Sequence, residues 1–145
     1  MGVSTKAIIS NDEVLEFIPQ RAPIVMVDEF FGVEDNLSVS SLTISEDNIF
    51  CEFGALSECG VIEHIAQSAA LRVGYIYRSE GREVPIGFIG SVNRFKIFEL
   101  PKIGSKITTE IRVEQEVMNI TLISAVVKIE QRVIAESMMK IFLQD

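Results

Sequence analysis

Basic residues are the scarce half of this chain's charge: 13 lysines and arginines stand against 21 aspartates and glutamates, a formal net charge of −8 over 145 residues. Nothing resembles a basic stripe able to track a phosphate backbone, which argues against a nucleic-acid protein. Histidine occurs once, at His64, and cysteine twice, at Cys51 and Cys59. That inventory makes neither a disulfide framework nor a zinc site, so no metal and no other cofactor is expected. No apolar run is long and unbroken enough to cross a bilayer. Met1 to Ser10 lacks a charged lead-in followed by an apolar stretch, so no secretory leader is expected and the cytoplasm is the default compartment. Repeats, linkers and low-complexity tracts are missing too. With 48% apolar and 23% charged residues, the composition is that of one globular domain over 1–145.

What is present is organised around the stretch from Phe53 to Tyr77, which reads as a helix. Between His64 and Arg72 it has no charged side chain. Ile62, Ile65, Ala66, Ala69, Val73 and Ile76 recur at helical spacing, and Ser68, Ala70 and Gly74 elsewhere on the helix are small, not charged. A helix with no solvated stripe is a buried helix, wrapped by something else. Glu63 and, one turn later, Gln67 are set into it. A carboxylate placed there costs free energy that partners or chemistry must offset.

The rest of the chain supplies the wrapping. Asn11–Ile18 predicts a short helix with Asn11 as N-cap, and Ile24–Val27 a strand or strand approach. Leu37–Ile44 alternates as a half-buried strand with Val39, Leu42 and Ile44 inward. Ile49–Phe53 is a short strand or loop. After the helix, Pro85–Phe98, Lys106–Val117, Ile120–Glu130 and Val133–Leu143 predict four long strands, the second with Ile107, Thr109, Ile111 and Val113 on one side. The expected architecture is α+β, an antiparallel sheet curled around one long central helix. Such a sheet is too small to enclose the helix, so a dimer is the natural complement.

Three segments resemble the hotdog-fold family of β-hydroxyacyl-[acyl-carrier-protein] dehydratases. Ile18-Pro-Gln-Arg-Ala-Pro-Ile-Val-Met-Val-Asp28 is similar to the family's Leu-Pro-His-Arg-x-Pro-x-x-x-Val-Asp opening. Glu63-His-Ile-Ala-Gln67 is similar to its Glu-x-x-Ala-Gln helix motif, and Phe88-Ile-Gly90, Arg94-Phe-Lys96 and Pro101-x-x-Gly104 to the strand that follows. One departure is large. Aligned on Glu63, the family's catalytic histidine falls at Ile49, its proline at Ser57 and its helix-start glycine at Glu58. In that respect the chain looks closer to a divergent branch found in aryl-polyene and flexirubin-type pigment clusters, which resembles Gly54-Ala-Leu56 followed by Gly60-Val-Ile-Glu63. The resemblance implies a hotdog fold and dehydration of a (3R)-hydroxyacyl thioester on acyl carrier protein or coenzyme A, in fatty-acid or polyene lipid synthesis. It also implies a homodimer, a higher oligomer or a hetero-complex with another hotdog protein. Two alternatives stand beside it: an acyl thioesterase, which needs one carboxylate, a water and oxyanion donors, and a catalytically silent subunit that pairs with an active dehydratase.

Glu63 is the leading catalytic candidate, as general acid or base or as the carboxylate that orients a water; the plain alternative is a helix-start carboxylate bonded to backbone amides. Gln67 shares its face and can bond Glu63 or a thioester carbonyl, or be a satisfied core amide. His64 is the only histidine, but it points roughly 100° around the helix from Glu63; it is a base for a dimer partner's site or a residue facing the interface. Cys59, a turn before Glu63, is a thiol nucleophile or a small buried filler. The amides of Gly60 and Val61 are candidate donors to a thioester oxygen, and Asn48 is the polar residue nearest the missing histidine. Arg72, Arg78, Arg82, Arg94, Lys96, Lys102 and Lys106 concentrate positive charge, either as a dock for an acidic carrier protein or as ordinary solvated charges.

Overall fold

A computed structural model describes residues 3–144; Met1, Gly2 and Asp145, included in the expected domain, lie outside the described residues. In chain order the elements are β1 (Ile9–Ser10), a 3-10 turn (Asn11–Glu16), β2 (Glu29–Glu34), β3 (Leu37–Thr43), β4 (Cys51–Glu52), β5 (Ala55–Leu56), α1 (Glu58–Ser79), β6 (Ile86–Ile97), β7 (Lys106–Val117), β8 (Ile120–Ile129) and β9 (Arg132–Gln144). Seven strands form one antiparallel sheet in the order β1-β2-β3-β7-β8-β9-β6, and β4 and β5 make a separate small hairpin. The chain leaves α1, runs along the far edge as β6, then re-enters mid-sheet as β7.

Helix α1 lies in the concavity of this sheet. From Gly60 to Tyr77 no residue of it is exposed, as the uncharged middle predicts. Val61, Ile65 and Ala69 pack into the main core with Ile107, Ile111, Ile123 and Ile141. Leu71 packs with Phe30, Val14 and Ile18 in a second cluster on the β2 side. Gly74 permits a close crossing: a Cβ there would stand 1.9 Å from the carbonyl oxygen of Phe17.

The long strands match their expected positions, and β7 buries Ile107, Thr109, Ile111 and Val113 as its alternation predicts. Two expectations need correction. The N-cap of the first turn is Ser10, whose N–H donates to Glu13 Oε1 at 3.2 Å; Asn11 has already entered the turn, at φ +53°. Along β3 and just beyond it, Leu42 and Ile44 face inward as expected, but Ser38 and Ser40 share their face and are fully buried, while Val39 is only partly so. Ser40 pairs with the inward Thr109, where a small side chain lets the sheet approach α1. Of the two alternatives for Ile24–Val27, the structure gives the strand approach: the segment leads into β2 and joins no strand itself. It runs extended against α1, and its backbone groups find other partners.

Candidate active site

Those partners are two side chains of α1. The Gln67 amide oxygen accepts the buried Met26 N–H at 2.6 Å, and its NH2 donates to Ile24 O and to Glu63 Oε2, each at 2.8 Å. Only an amide oxygen can take the Met26 N–H, so the amide's orientation follows from its partners. The NH2 must then face the two acceptors. His64, wholly buried, places Nδ1 2.6 Å from Met26 O and Nε2 2.7 Å from Thr109 Oγ1. A carbonyl can only accept, so Nδ1 carries the proton and the neutral ring's Nε2 accepts the threonine hydroxyl. Burial holds the His64 pKa down at about 4. One stretch that reads as a strand is therefore pinned by helix side chains in place of a sheet ladder.

Glu63 is half-buried, held by Gln67, and lines a groove of about 260 Å³. Ala66, Ala69, Ala70 and Val73 of α1 form its floor, Phe17, Pro19 and Gln20 one bank, and Val84, Pro85, Gly87 and Ile89 with Ile141 and Leu143 the other. Small alanines on α1 leave the width. Among the described lining residues Glu63 is the sole titratable group. Gln20 also lines the groove, and its Oε1 is buried without a partner among the described residues. Gln20 belongs to the Ile18–Asp28 motif and is not among the expected site residues. The available signal was a polar residue where the resembled motif carries histidine.

The structure does not bring the remaining candidates to this groove. His64 faces β7 and the Met26 segment, neither the groove nor an interface, and both its nitrogens are engaged. Gly60 and Val61 lack the free amides expected of them. Ser57, the N-cap, accepts from Gly60 N–H through Oγ at 3.4 Å and from Val61 N–H through its carbonyl at 3.1 Å. Gly60 is demanded by packing instead, since a Cβ would fall 2.5 Å from Leu56 Cδ1. Cys59 is exposed, not a buried filler. Asn48 folds its own loop, accepting from Phe50 N–H at 2.9 Å and reaching Met26 Sδ at 3.3 Å. Of the basic residues, Arg82 pairs with Glu80 and Lys106 with Glu29. Arg94, Lys96 and Lys102 are exposed and unpaired among the described residues. Among those residues no group of three or more His, Cys, Asp or Glu is placed to hold a metal ion, and no helix is long and apolar enough to cross a membrane.

Comparison with known proteins sets this geometry in context. The family model described as ApeP-like, ApeP dehydratase, matches residues 12–145. A 3-hydroxyacyl-[acyl-carrier-protein] dehydratase, FabZ, from Rickettsia massiliae is 25% identical over 145 residues, covering 95% of this chain and 98% of the relative. Among solved structures, the dehydratase heterocomplex ApeI:P from Xenorhabdus doucetiae superposes with a TM-score of 0.84 at 17% identity, over 91% of each chain. A hypothetical thioesterase with coenzyme A from Streptococcus pneumoniae superposes at 0.65 with 11% identity, over 80% of this chain and 84% of that one. The fold is the hotdog arrangement expected from the sequence.

Proposed function

The chain belongs to the ApeP-like dehydratase family, and on that premise we propose that it removes water from a 3-hydroxyacyl thioester lodged in the groove beside α1, with Glu63 moving the proton. The observation that carries this reading is that one carboxylate alone, aimed by a fully engaged glutamine, faces a groove otherwise apolar enough for an acyl chain. Dehydration breaks the Cα–H and Cβ–O bonds and forms Cα=Cβ. Glu63 as carboxylate accepts the α-proton, the electron pair forms the double bond as the hydroxyl departs, and the same proton passes to it. Water leaves and the carboxylate is restored. Gln67 is the residue that positions Glu63, and His64 serves by locking the segment against which Gln67 is set. The acyl-carrier-protein thioester named for the FabZ relative is the substrate class this reading favours, with Arg94, Lys96 and Lys102 as the charges that meet an acidic carrier. Two unpaired cysteines fit a reducing, cytoplasmic setting.

Assembly follows from β6. It is a 12-residue strand at the sheet edge, and Ile86, Phe88, Ile89 and Val92 are all exposed along it. A long apolar edge of this kind invites another strand. The occupant is a second copy or a related hotdog chain, and the heterocomplex of the ApeI:P neighbour supports the second. The test is an assay of purified protein with a 3-hydroxyacyl pantetheine thioester, followed by mass spectrometry. A product lighter by one water, lost in Glu63→Gln at unchanged thermal stability, is expected. Free thiol without the enoyl product would mean hydrolysis, and unchanged turnover in Glu63→Gln would remove Glu63 from the chemistry.

A further inference from the structure

Behind the groove, between the second half of α1 and the sheet, lies a smaller space of about 180 Å³. Ala69, Val73, Ile141 and Leu143 line both spaces, so the two adjoin across the same four side chains. The inner space is mostly apolar, yet Arg72, Glu116 and Thr121 stand in its wall.

Arg72 is the anomaly. Its Nε is enclosed and has no acceptor among the described residues, and none of the ion pairs found there includes it. Glu116 acts on it at longer range only, while burial draws its pKa down. Arginine does not escape such a site by losing its proton. A snorkelling side chain keeps its aliphatic stem covered and its head in water, but here the covered part includes an N–H donor. An enclosed donor without an acceptor costs free energy until something supplies one.

We propose that the inner space receives the distal end of the acyl chain, and that Arg72 selects chains ending in an oxygen acceptor, a carboxylate or a hydroxyl, over chains ending in methyl. This rests on the acyl-groove reading above and names the substrate class within it. Arg72 follows Glu63 by nine residues, about 13.5 Å along the helix axis and roughly half a turn around it. A zigzag chain advances about 1.2 Å per bond, as extended backbone does. Along the axis alone this is on the order of eleven bonds, and the half turn adds to it, so the oxygen is expected at least that far beyond the reacting carbons, after the chain has passed Ala69 and Val73.

The experiment uses the full chain and three non-reacting acyl-pantetheine thioethers of that length, ending in methyl, hydroxyl and carboxylate, with dissociation constants from calorimetry. The hydroxyl or carboxylate probe is expected to bind about tenfold tighter than the methyl probe, the worth of one charge-assisted hydrogen bond. Arg72→Met should erase that difference while binding the methyl probe as the wild type does, which also shows that the variant is folded. Preference for the carboxylate over the hydroxyl, increased by Glu116→Gln, would identify an acid terminus; equal binding of the two would identify a neutral acceptor. If the methyl probe binds as tightly as the others, or the preference survives Arg72→Met, the inference is wrong and the acyl groove stands. If none of the three binds, both are wrong.

Discussion

Lowering the pH from 7 to 5 should weaken this fold chiefly through one residue. His64 is wholly buried, neutral, and engaged at both nitrogens, with its pKa held at about 4 against an ordinary 6.5. The unfolded chain therefore binds a proton on His64 below about pH 6.5 that the folded chain refuses, so stability rises with pH across the window from about 4 to 6.5. The full span is worth about 3 kcal/mol, and about 2 kcal/mol is gone by pH 5. Carboxylates complicate the raw curve. Asp28, raised mainly by burial, adds stability as the pH falls, while Glu29, held low mainly by its Lys106 hydrogen bond, removes it. His64→Gln keeps a polar side chain there and cannot titrate, so the difference between the two curves isolates the histidine. Urea unfolding at fixed protomer concentration, stepped from pH 7.5 to 4.5, measures both. The chain has a single histidine, so one imidazole resonance reports the pKa directly. Parallel curves for the two proteins, or an imidazole titrating near 6.5 in the folded state, would refute the buried neutral ring.

Gln67→Leu strands the buried Met26 N–H and frees Glu63; urea midpoints should show a loss of about 1–3 kcal/mol, and turnover should fall more than tenfold while Gln67→Glu fails to restore it. Gly74→Ala places a methyl 1.9 Å from Phe17 O, so despite alanine's better helix propensity it should cost about 1–3 kcal/mol by the same assay. Phe88→Lys puts charge on the exposed β6 edge, outside the groove lining; the pairing proposed for that edge should weaken, seen in sedimentation as a larger share of the single chain.

Much of this was legible because burial leaves periodic traces. The unbroken uncharged middle of α1 announced a wrapped helix, and the alternation of β7 declared its inner face, since both patterns record which side meets water. Two features left no such trace. Ser38 and Ser40 face inward because the sheet approaches α1 closely there, a steric demand that a hydrophobicity pattern reads backwards. Ile24–Met26 has strand-like side chains, but its backbone partners lie 41 and 38 positions away, on Gln67 and His64. The same hidden pairing explains why His64 resembled a catalytic base. A lone histidine beside a reactive-looking carboxylate carries no mark in the sequence of the carbonyl and hydroxyl that already occupy it.

The polar groups of the buried shell thus fall into two sets, and the division is what locates chemistry here. His64 and Gln67 spend their hydrogen-bonding capacity on the fold: each joins α1 to a segment that would otherwise carry unpaired backbone groups into the interior. Glu63, Gln20 Oε1 and Arg72 Nε do not. Gln67 satisfies one oxygen of Glu63, and the amide oxygen and the guanidinium N–H have no partner among the described residues. Groups of the first kind are expensive to remove and cannot take part in a reaction without breaking the structure. Groups of the second kind cost the empty protein free energy that a ligand recovers on binding. Of the five buried atoms without a partner among the described residues, the hydroxyls of Ser38, Ser40 and Ser68 lie away from both spaces, while Gln20 Oε1 and Arg72 Nε belong to residues that line the spaces along Ala69 and Val73, with Glu63 at the outer one, so that path is where a substrate gains most.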